Sequence, residues 1–364
     1  MNSSNRFKNQ LFIIPIFLIA IILLSIISGC EDKQFDNNVS GVSSGISYLA
    51  IAGLNALFLL DLESNELLEQ PIGLGNAPNW IVPYGDRLLV INSVSNDMSV
   101  IIAENEEIYL ERTVDLGLEF NRNPFAAAIT GDHRLLVTNL LENSVSVVDL
   151  GSYEITQTWE TGATPEGIVV DQDYAYVICT GYDFNDYSFN PGELVVHSLA
   201  DGAIVMRTQM NINSQFAAMD IDKNLFIINT GDYDEVFGSI RILETNTFNN
   251  VHTSITDSIY PGRLAASHWG SVYIACGGWL NEGESVGLVL RYSDPDSSSN
   301  NQELNLKKIF VNPGAIDVAV DQDNERVFVA CYDAQAVDEI RGDSLFTSYS
   351  LPENPQAIAI WDLP

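Results

Sequence analysis

The stretch LVTNLLENSVSVVDL, residues 136–150, together with TPEGI at Thr164–Ile168, decides how this chain folds. A short apolar run ends at Asn139, a polar turn follows, and a second run alternates Ser with Val. Short runs rich in β-branched residues and separated by turn residues predict two neighbouring β-strands, with a third beginning at Pro165. No window beyond residue 48 shows sustained helical periodicity, so we expect this whole region to be all-β.

The Pro-x-x-apolar motif that begins at Pro165 recurs along the chain. Its copies are about 46 residues apart on average, and self-similarity at such a period is typical of repeat architectures. The copies begin at Pro78, Pro124, Pro165, Pro261, Pro313 and Pro355, and Ser214 begins a version without proline. These seven copies predict seven repeated units.

A second landmark follows the first six copies. After a turn comes a strand that ends in Asn or Cys, at Asn92, Asn139, Cys179, Asn229, Cys276 and Cys331. The three cysteines hold equivalent places in different units, which predicts small buried side chains rather than a disulfide framework. A zinc or redox site is the alternative. The Asp-x-Asp pairs at 171/173, 220/222 and 321/323 fit hairpin turns better than a calcium loop.

The segment from Leu136 to Ile168 resembles the YVTN-type (YncE-like) repeats of β-propellers, and the likeness extends over residues 48–364. The resemblance implies an all-β, seven-bladed β-propeller with four-stranded blades. Residues 48–75 supply about three strands without a motif, and the segment after Pro355 supplies one. Pairing the N-terminal strands with the C-terminal strand would complete the seventh blade and remove two open edges. Six or eight blades would leave a partial blade unpaired.

The first thirty residues have the layout of an export signal. Arg6 and Lys8 precede an uncharged apolar run from Leu11 to Ile27, and the segment ends in Ser28-Gly29-Cys30. This layout predicts a signal peptide at 1–29. The ending resembles a bacterial lipobox, which implies that Cys30 is lipidated. An uncleaved anchor helix is the alternative.

Residues 30–47 are rich in Ser, Gly and Asn and are expected to form a flexible tether before a propeller at 48–364. Glu31 and Asp32 follow Cys30 directly, which resembles the surface-export signal of lipoproteins in the Bacteroidota. We therefore expect an outer-membrane lipoprotein exposed at the cell surface, with a periplasm-facing position as the alternative. Contact with the membrane is expected through the lipid anchor only.

Composition narrows the classes of function. The chain has 364 residues, of which 46% are hydrophobic, and its formal net charge is −33. Removing the signal peptide would take away Arg6 and Lys8 and leave −35. Such a chain repels phosphate backbones, so nucleic acid is not an expected partner. Cationic partners or a salty medium are favoured.

The motif also predicts where a ligand site lies, because inter-blade connections and second-to-third strand loops share one face of a propeller. Long loops on that face, at 181–192, 231–238 and 277–287, are aromatic and acidic, which is typical of recognition surfaces. The candidate ligand-binding residues are Trp80, Phe125, Glu166, Tyr182, Asp183, Phe216, Tyr233, Arg263 and Trp279. The alternative is that the aromatic side chains only close their own loops and that the acids are solvated.

Support for chemistry in the sequence is thin. The four histidines are scattered, and neither a His-Glu-x-x-His motif nor a P-loop lysine occurs. We predict no catalytic residues, no metal ligands and no cofactor. The leading hypothesis is a non-enzymatic binding propeller that captures a small molecule or docks on an outer-membrane transporter or another envelope protein. A lactonase-like hydrolase using Glu166 or Arg263, and an envelope-assembly scaffold, are the alternatives.

Overall fold

The computed structural model describes residues 38–40, 45–117, 121–233, 235–247, 250–254, 260–280, 284–293 and 306–364. Secondary structure in this part of the chain is β throughout, without a helix. The predicted signal peptide and Cys30 lie outside the described residues. No helix able to cross a membrane is found among the residues described.

Apart from the edge strand Asn38–Ser40 and a short hairpin of Tyr182–Asp183 with Ser188–Phe189, the described strands form seven four-stranded antiparallel blades. This arrangement confirms the predicted seven-bladed propeller. Blade 1 contains Pro78–Tyr84, Arg87–Asn92, Asp97–Glu104 and Glu107–Asp115. Blade 2 contains Pro124–Ile129, Arg134–Asn139, Ser144–Asp149 and Glu154–Glu160. Blade 3 contains Pro165–Val170, Tyr174–Cys179, Pro191–Ser198 and Ile204–Ile212.

The next three blades repeat the same meander. Blade 4 contains Ser214–Met219, Asn224–Asn229, Ser239–Glu244 and Asn250–Ser254. Blade 5 contains Leu264–Ala266, Ser271–Leu280, Glu284–Ser293 and Leu306–Val311. Blade 6 contains Ala315–Asp321, Arg326–Cys331, Ala336–Arg341 and Ser344–Ser350. The first strands of neighbouring blades contact one another around a closed ring, so the first strand of each blade is innermost.

Blade 7 closes the ring from both ends of the propeller region, as predicted. Its strands are Ala357–Asp362, Ser47–Ala52, Ala56–Asp61 and Ile72–Gly73. Ser47 pairs with Asp362 and Ala52 with Ala357, so the register is continuous over the whole first pair of strands. The seam is also held by Trp361, which is fully buried and donates from Nε1 to the Gly85 carbonyl at 3.0 Å.

The hydrophobic core of the described residues is divided among the seven interfaces between blades. Each interface has its own apolar cluster; for example, Leu89 and Ile91 of blade 1 pack with Leu135 and Val137 of blade 2. Each second strand is covered by one neighbouring blade on each of its two faces. Its sequence is therefore a continuous apolar run and does not alternate apolar with polar residues.

Two parts of the chain differ from the sequence predictions. Asn38–Ser40, assigned to the flexible tether, forms a fifth strand on the outer edge of blade 1, with Asn38 opposite Tyr109. The region 277–287, predicted as a loop, instead continues the hairpin of blade 5, whose strands extend to Leu280 and from Glu284. In both places, backbone pairing to an available strand outweighs the loop-like composition.

Candidate ligand site at the channel mouth

The upper face, defined here as the face where the first strands begin, brings together two sets of loops. The residue before the first strand accepts a backbone hydrogen bond from the residue after the second strand. The N···O distances are 3.0 Å from Leu140 to Asn123 and 2.8 Å from Thr230 to Asn213. Both acceptor residues have positive φ, a conformation that Asn tolerates well. We call the upper end of the ring of first strands the channel mouth. The hydrogen bond that recurs between blades holds its backbone in place.

Arg263 lies at the channel mouth and joins four blades. Its Nη1 donates to Asp317 Oδ2 at 3.1 Å and to the Gln356 carbonyl at 3.1 Å. Its Nη2 donates to the carbonyl and to Oδ1 of Asn79, at 2.6 and 3.1 Å. Arg263 belongs to blade 5, whereas these partners belong to blades 6, 7 and 1. The guanidinium thus cross-links the ring and is 7% exposed.

Aromatic rings from three first strands gather beside this guanidinium, and two of them lie against it. The Arg263 Cζ atom lies 5.0 Å from the centroid of Trp80 and 5.4 Å from that of Phe216. Phe216 stacks at 6.3 Å on Trp80 and at 6.4 Å on Phe125. Four predicted candidates therefore meet in one cluster, in which cation–π attraction and area burial hold them together.

Asp317 is a member of this cluster that the sequence analysis missed. Its carboxylate accepts backbone hydrogen bonds from Val318 at 2.8 Å and Ile358 at 3.0 Å, besides the bond from Arg263. Burial raises the pKa of Asp317, and the positive charge of Arg263 acts in the opposite direction. An acidic residue within the apolar strand Ala315–Asp321 was the signal that could have revealed it.

Glu166 is buried beside this cluster, and its Oε2 atom has no hydrogen-bond partner among the residues that the structure describes. The residue is 5% exposed and sits at the second position of the first strand of blade 3. Burial raises the pKa of Glu166 to about 8, and the charge of Arg263 lowers it only in part. The next residue is Gly167, where a Cβ atom would lie 2.6 Å from the Gln215 carbonyl, so the backbones of blades 3 and 4 approach closely here.

An aromatic run, consisting of Phe184, Tyr182, Phe189, Tyr233 and Tyr260, extends from the loop of blade 3 towards Glu166. Successive ring centroids are 5.0, 5.0, 5.8 and 5.1 Å apart. Burial, and secondarily the charge of Glu166, raise the pKa of Tyr233 above its usual value. The Tyr182 hydroxyl is buried and has no hydrogen-bond partner within the described ranges. The predicted candidates Tyr182 and Tyr233 thus connect the loop surface with Glu166.

Two other candidates have a different position. The Asp183 carboxylate accepts from the backbone and side-chain nitrogens of Asn185, each at 2.8 Å, so it shapes its own loop. Trp279 lies in the extended hairpin of blade 5, where its backbone pairs with Ser285. The structure does not bring Asp183 into the Arg263 cluster. Trp279 is located only by its backbone position in this strand.

The opposite face carries a shallow cleft between the first turns of blades 2, 3 and 4, lined in part by Asp171, Met219 and Asp220. Asp171 Oδ1 accepts from the backbone nitrogens of Asp173 and Tyr174 at 2.8 and 2.7 Å. The prediction that the Asp-x-Asp pairs serve hairpin turns is confirmed here. Within the described ranges, no group of three or more His, Cys, Asp or Glu side chains is placed to hold a metal ion.

The cysteines of the second landmark are buried thiols. Cys179, Cys276 and Cys331 are 1%, 3% and 0% exposed, and each is free. Burial raises the pKa of Cys179 to about 12. In other blades the equivalent position is an asparagine. The side chain of Asn139, for example, donates hydrogen bonds to Ser144 and Ser146, both at 2.9 Å. This position is part of the structural framework of the blades.

Fold and site together define a seven-bladed β-propeller with a buried polar and aromatic site at its channel mouth. No family model matches the chain, and no curated protein matches its sequence. The resemblance to YVTN-type repeats therefore stays a prediction.

Solved structures share the fold. A Bacteroides uniformis protein, provisionally described as a 6-phosphogluconolactonase, is 13% identical, with a TM-score of 0.65 over 87% of this chain and all of its own. Hydrazine synthase from Kuenenia stuttgartiensis is 14% identical, with a TM-score of 0.65 over 78% of this chain and 89% of its own. Virginiamycin B lyase from Staphylococcus aureus is 11% identical, with a TM-score of 0.51 over 76% and 85%. Identities this low establish the shared fold and no shared activity.

Proposed function

We propose that this chain is an envelope lipoprotein whose propeller binds a small organic ligand at the upper face without transforming it. The observation that carries the proposal is the buried Glu166 Oε2, for which the described part of the chain supplies no hydrogen-bond partner. Leaving such a group unpaired costs about 1 to 3 kcal/mol, so a fold selected only for stability gains nothing from it. The unpaired, buried Tyr182 hydroxyl adds a second group that a ligand could satisfy.

Ligand binding is tested with the full chain in detergent, by thermal-shift screening of a small-molecule panel followed by calorimetry. We expect saturable binding of at least one compound. Affinity should fall about tenfold or more in Glu166→Gln, because a hydrogen bond to a charged group contributes about 1.5–3 kcal/mol. Glu154→Gln, at an exposed site that begins the last strand of blade 2, is the matched control. Unchanged affinity in Glu166→Gln would place the ligand elsewhere.

The cellular address is part of the proposal and rests on the sequence of residues 1–32. Metabolic labelling with a fatty-acid analogue should mark the wild-type chain and leave Cys30→Ala unmarked. Protease added to intact cells should degrade the protein if it is exposed at the surface. Protection until the outer membrane is opened would instead indicate a periplasm-facing lipoprotein.

A docking role for the same face is supported by its exposed apolar loop tips. Leu54, Leu141, Tyr187 and Phe237 are 51%, 43%, 65% and 45% exposed, and all four follow second strands of blades 7, 2, 3 and 4. A protein partner such as an outer-membrane transporter or an assembly complex would bury them. Cross-linking in native membranes should capture a partner with the wild type and much less with a Leu141→Ser, Tyr187→Ser, Phe237→Ser variant.

The second candidate function is acid–base catalysis, which the raised pKa of Glu166 favours. A carboxyl group with a pKa of about 8 can donate or accept a proton near neutral pH. The structural neighbours described as a lactonase and a lyase suggest cyclic esters as trial substrates. Turnover of a lactone panel that disappears in Glu166→Gln but persists in Glu154→Gln would replace the binding proposal with this one.

A further inference from the structure

We infer that the ligand site takes an organic cation, an amine or quaternary ammonium group held against the aromatic run with Glu166 as its counter-ion. The inference rests on the proposed function, since it names the chemical class of ligand for the same site. Three features of the described residues support it. They are the arrangement of the aromatic rings, the burial and protonation of Glu166, and the hydrogen bonds of Arg263 to groups of the protein.

The rings of the aromatic run meet at steep angles, so their faces point in several directions. Tyr182 meets Phe184 at 86° and Phe189 at 52°, and Phe189 meets Tyr233 at 61°. The face of an aromatic ring carries negative electrostatic potential, so each face that a ligand reaches attracts a cation that has shed its water. A neutral apolar ligand would use the area of the rings but not this potential.

Glu166 supplies the buried charge that such a ligand needs. The groups that act on its carboxyl are Arg263 from blade 5 and Tyr233 from the loop of blade 4. In the free protein burial keeps the pKa of Glu166 at about 8, so the carboxyl is mostly protonated at pH 7. A cation beside Oε2 favours the carboxylate form. Binding at pH 7 should therefore release a proton to the buffer.

Arg263 does not make the site selective for anions. Both of its Nη atoms already donate to protein acceptors, and the ion pair with Asp317 balances its charge. The chain as a whole is acidic as well, with a formal net charge of −33. An anionic ligand would meet a repulsive field and a guanidinium whose Nη donors are engaged, whereas a cation is attracted by the field.

Choline and its neutral isostere 3,3-dimethyl-1-butanol test the inference, because they share a shape and differ in charge. Calorimetry uses the full chain in detergent, in two buffers with different ionisation enthalpies. At pH 7 we expect choline to bind about tenfold more tightly than the isostere. Choline should also release about 0.9 proton per site. Choline affinity should rise with pH and level off above pH 8, whereas isostere affinity should not.

Variants test the contributions of the Glu166 carboxyl group and of the aromatic rings separately. Glu166→Gln should abolish the proton release and remove most of the preference for choline, and Glu154→Gln should change neither. Phe189→Leu keeps an apolar side chain but removes a ring face, so it should weaken choline about fivefold and the isostere much less.

The outcomes distinguish this inference from the proposed function. Equal or tighter binding of the isostere, or choline binding without proton release, overturns the cation assignment and leaves ligand binding intact. Failure of both probes overturns the assignment too, and the proposed function falls with it only if no compound in the wider screening panel binds.

Discussion

Two buried glutamates in this propeller have opposite surroundings. Glu339, in the third strand of blade 6, receives two hydrogen bonds from Arg326, both at 3.0 Å, and others from Arg341 at 2.5 Å and Tyr349 at 2.9 Å. Glu166 is buried to a similar degree, yet no described residue forms a hydrogen bond with its Oε2 atom. Burial alone therefore does not tell a structural carboxylate from a site residue; the difference lies in whether partners are supplied.

The two pKa values express the same contrast. Burial by itself would raise the pKa of Glu339, but hydrogen bonds from Arg326, Arg341 and Tyr349 outweigh burial and lower it. At Glu166 burial dominates and the pKa rises to about 8. Arg326 also donates to the Leu62 carbonyl at 2.8 Å, so the Glu339 network fastens blade 6 to blade 7. Glu339 belongs to a hydrogen-bond network that stabilises the closed ring, whereas Glu166 Oε2 has no partner among the described residues.

Removing a partner from Glu339 should give the largest effect on stability. Arg326→Leu leaves a buried carboxylate without its bidentate donor, and we expect the free energy of unfolding to fall by about 3 to 5 kcal/mol. Urea unfolding at pH 7 measures the change, with Glu154→Gln as the control. A loss below 1 kcal/mol would mean that Arg341 and Tyr349 suffice.

At Glu166, an apolar substitution should change the free energy of unfolding in the opposite direction. Glu166→Leu removes an unpaired buried carboxyl and fills the space with an apolar side chain, so we expect the free energy of unfolding to rise by about 1 to 3 kcal/mol at pH 7. Urea unfolding beside Arg326→Leu makes the comparison direct. A destabilisation instead would indicate that Glu166 has a structural partner.

The pH dependence should separate the two glutamates as well. The unfolded Glu166 ionises near pH 4.5, whereas the folded residue holds its proton until about pH 8. The folded state therefore binds more protons in this window, and the Glu166 contribution lowers the free energy of unfolding as pH rises, by at most about 1.4 kcal/mol per pH unit. Above pH 8 the contribution is level.

Subtracting the unfolding curve of Glu166→Gln from that of the wild type isolates this contribution. Glu339 behaves in the opposite way, because its folded pKa is lowered: its contribution is present above the unfolded pKa and is lost as pH falls through the folded value. A wild-type minus Glu166→Gln difference that does not change between pH 5 and 8 would refute the raised pKa of Glu166.

The smallest effect concerns two tyrosine hydroxyls. Tyr349 donates to Glu339, so Tyr349→Phe should lower the free energy of unfolding by about 1 kcal/mol. The buried Tyr182 hydroxyl has no partner, so Tyr182→Phe should leave stability unchanged or slightly increased. Thermal unfolding of both variants tests the pair. Equal losses would show that Tyr182 bonds to a group in the folded chain.

Much of the fold could be predicted because each blade repeats a local pattern. The motif beginning at Pro165 and its copies mark the first strands, and the landmark at Asn139 and its copies marks the ends of the second strands. Local composition did not anticipate the edge strand Asn38–Ser40 or the long hairpin that contains Trp279. Both depend on a partner strand that offers unpaired backbone groups, and no short window of sequence contains that information.

The site shows the same division. The inter-blade motif placed Trp80, Phe125, Phe216 and Arg263 on one face, and the structure brings them into contact. The sequence could not reveal that Asp317 pairs with Arg263, because the two residues are 54 positions apart and belong to different blades. It also could not reveal that Asp183 is engaged by its own loop.

The sequence by itself determined the number of blades, the closure of the ring and the face on which aromatic and acidic residues gather, since these follow from a repeated pattern of apolar runs and turns. Only the tertiary structure decided which buried charges are satisfied. Glu339 and Glu166 are both buried in the propeller. Neighbouring strands supply the hydrogen-bond donors of Glu339, and packing sets the donor–acceptor distances of 2.5–3.0 Å. That difference separates a carboxylate that stabilises the propeller from the one that we propose binds a ligand.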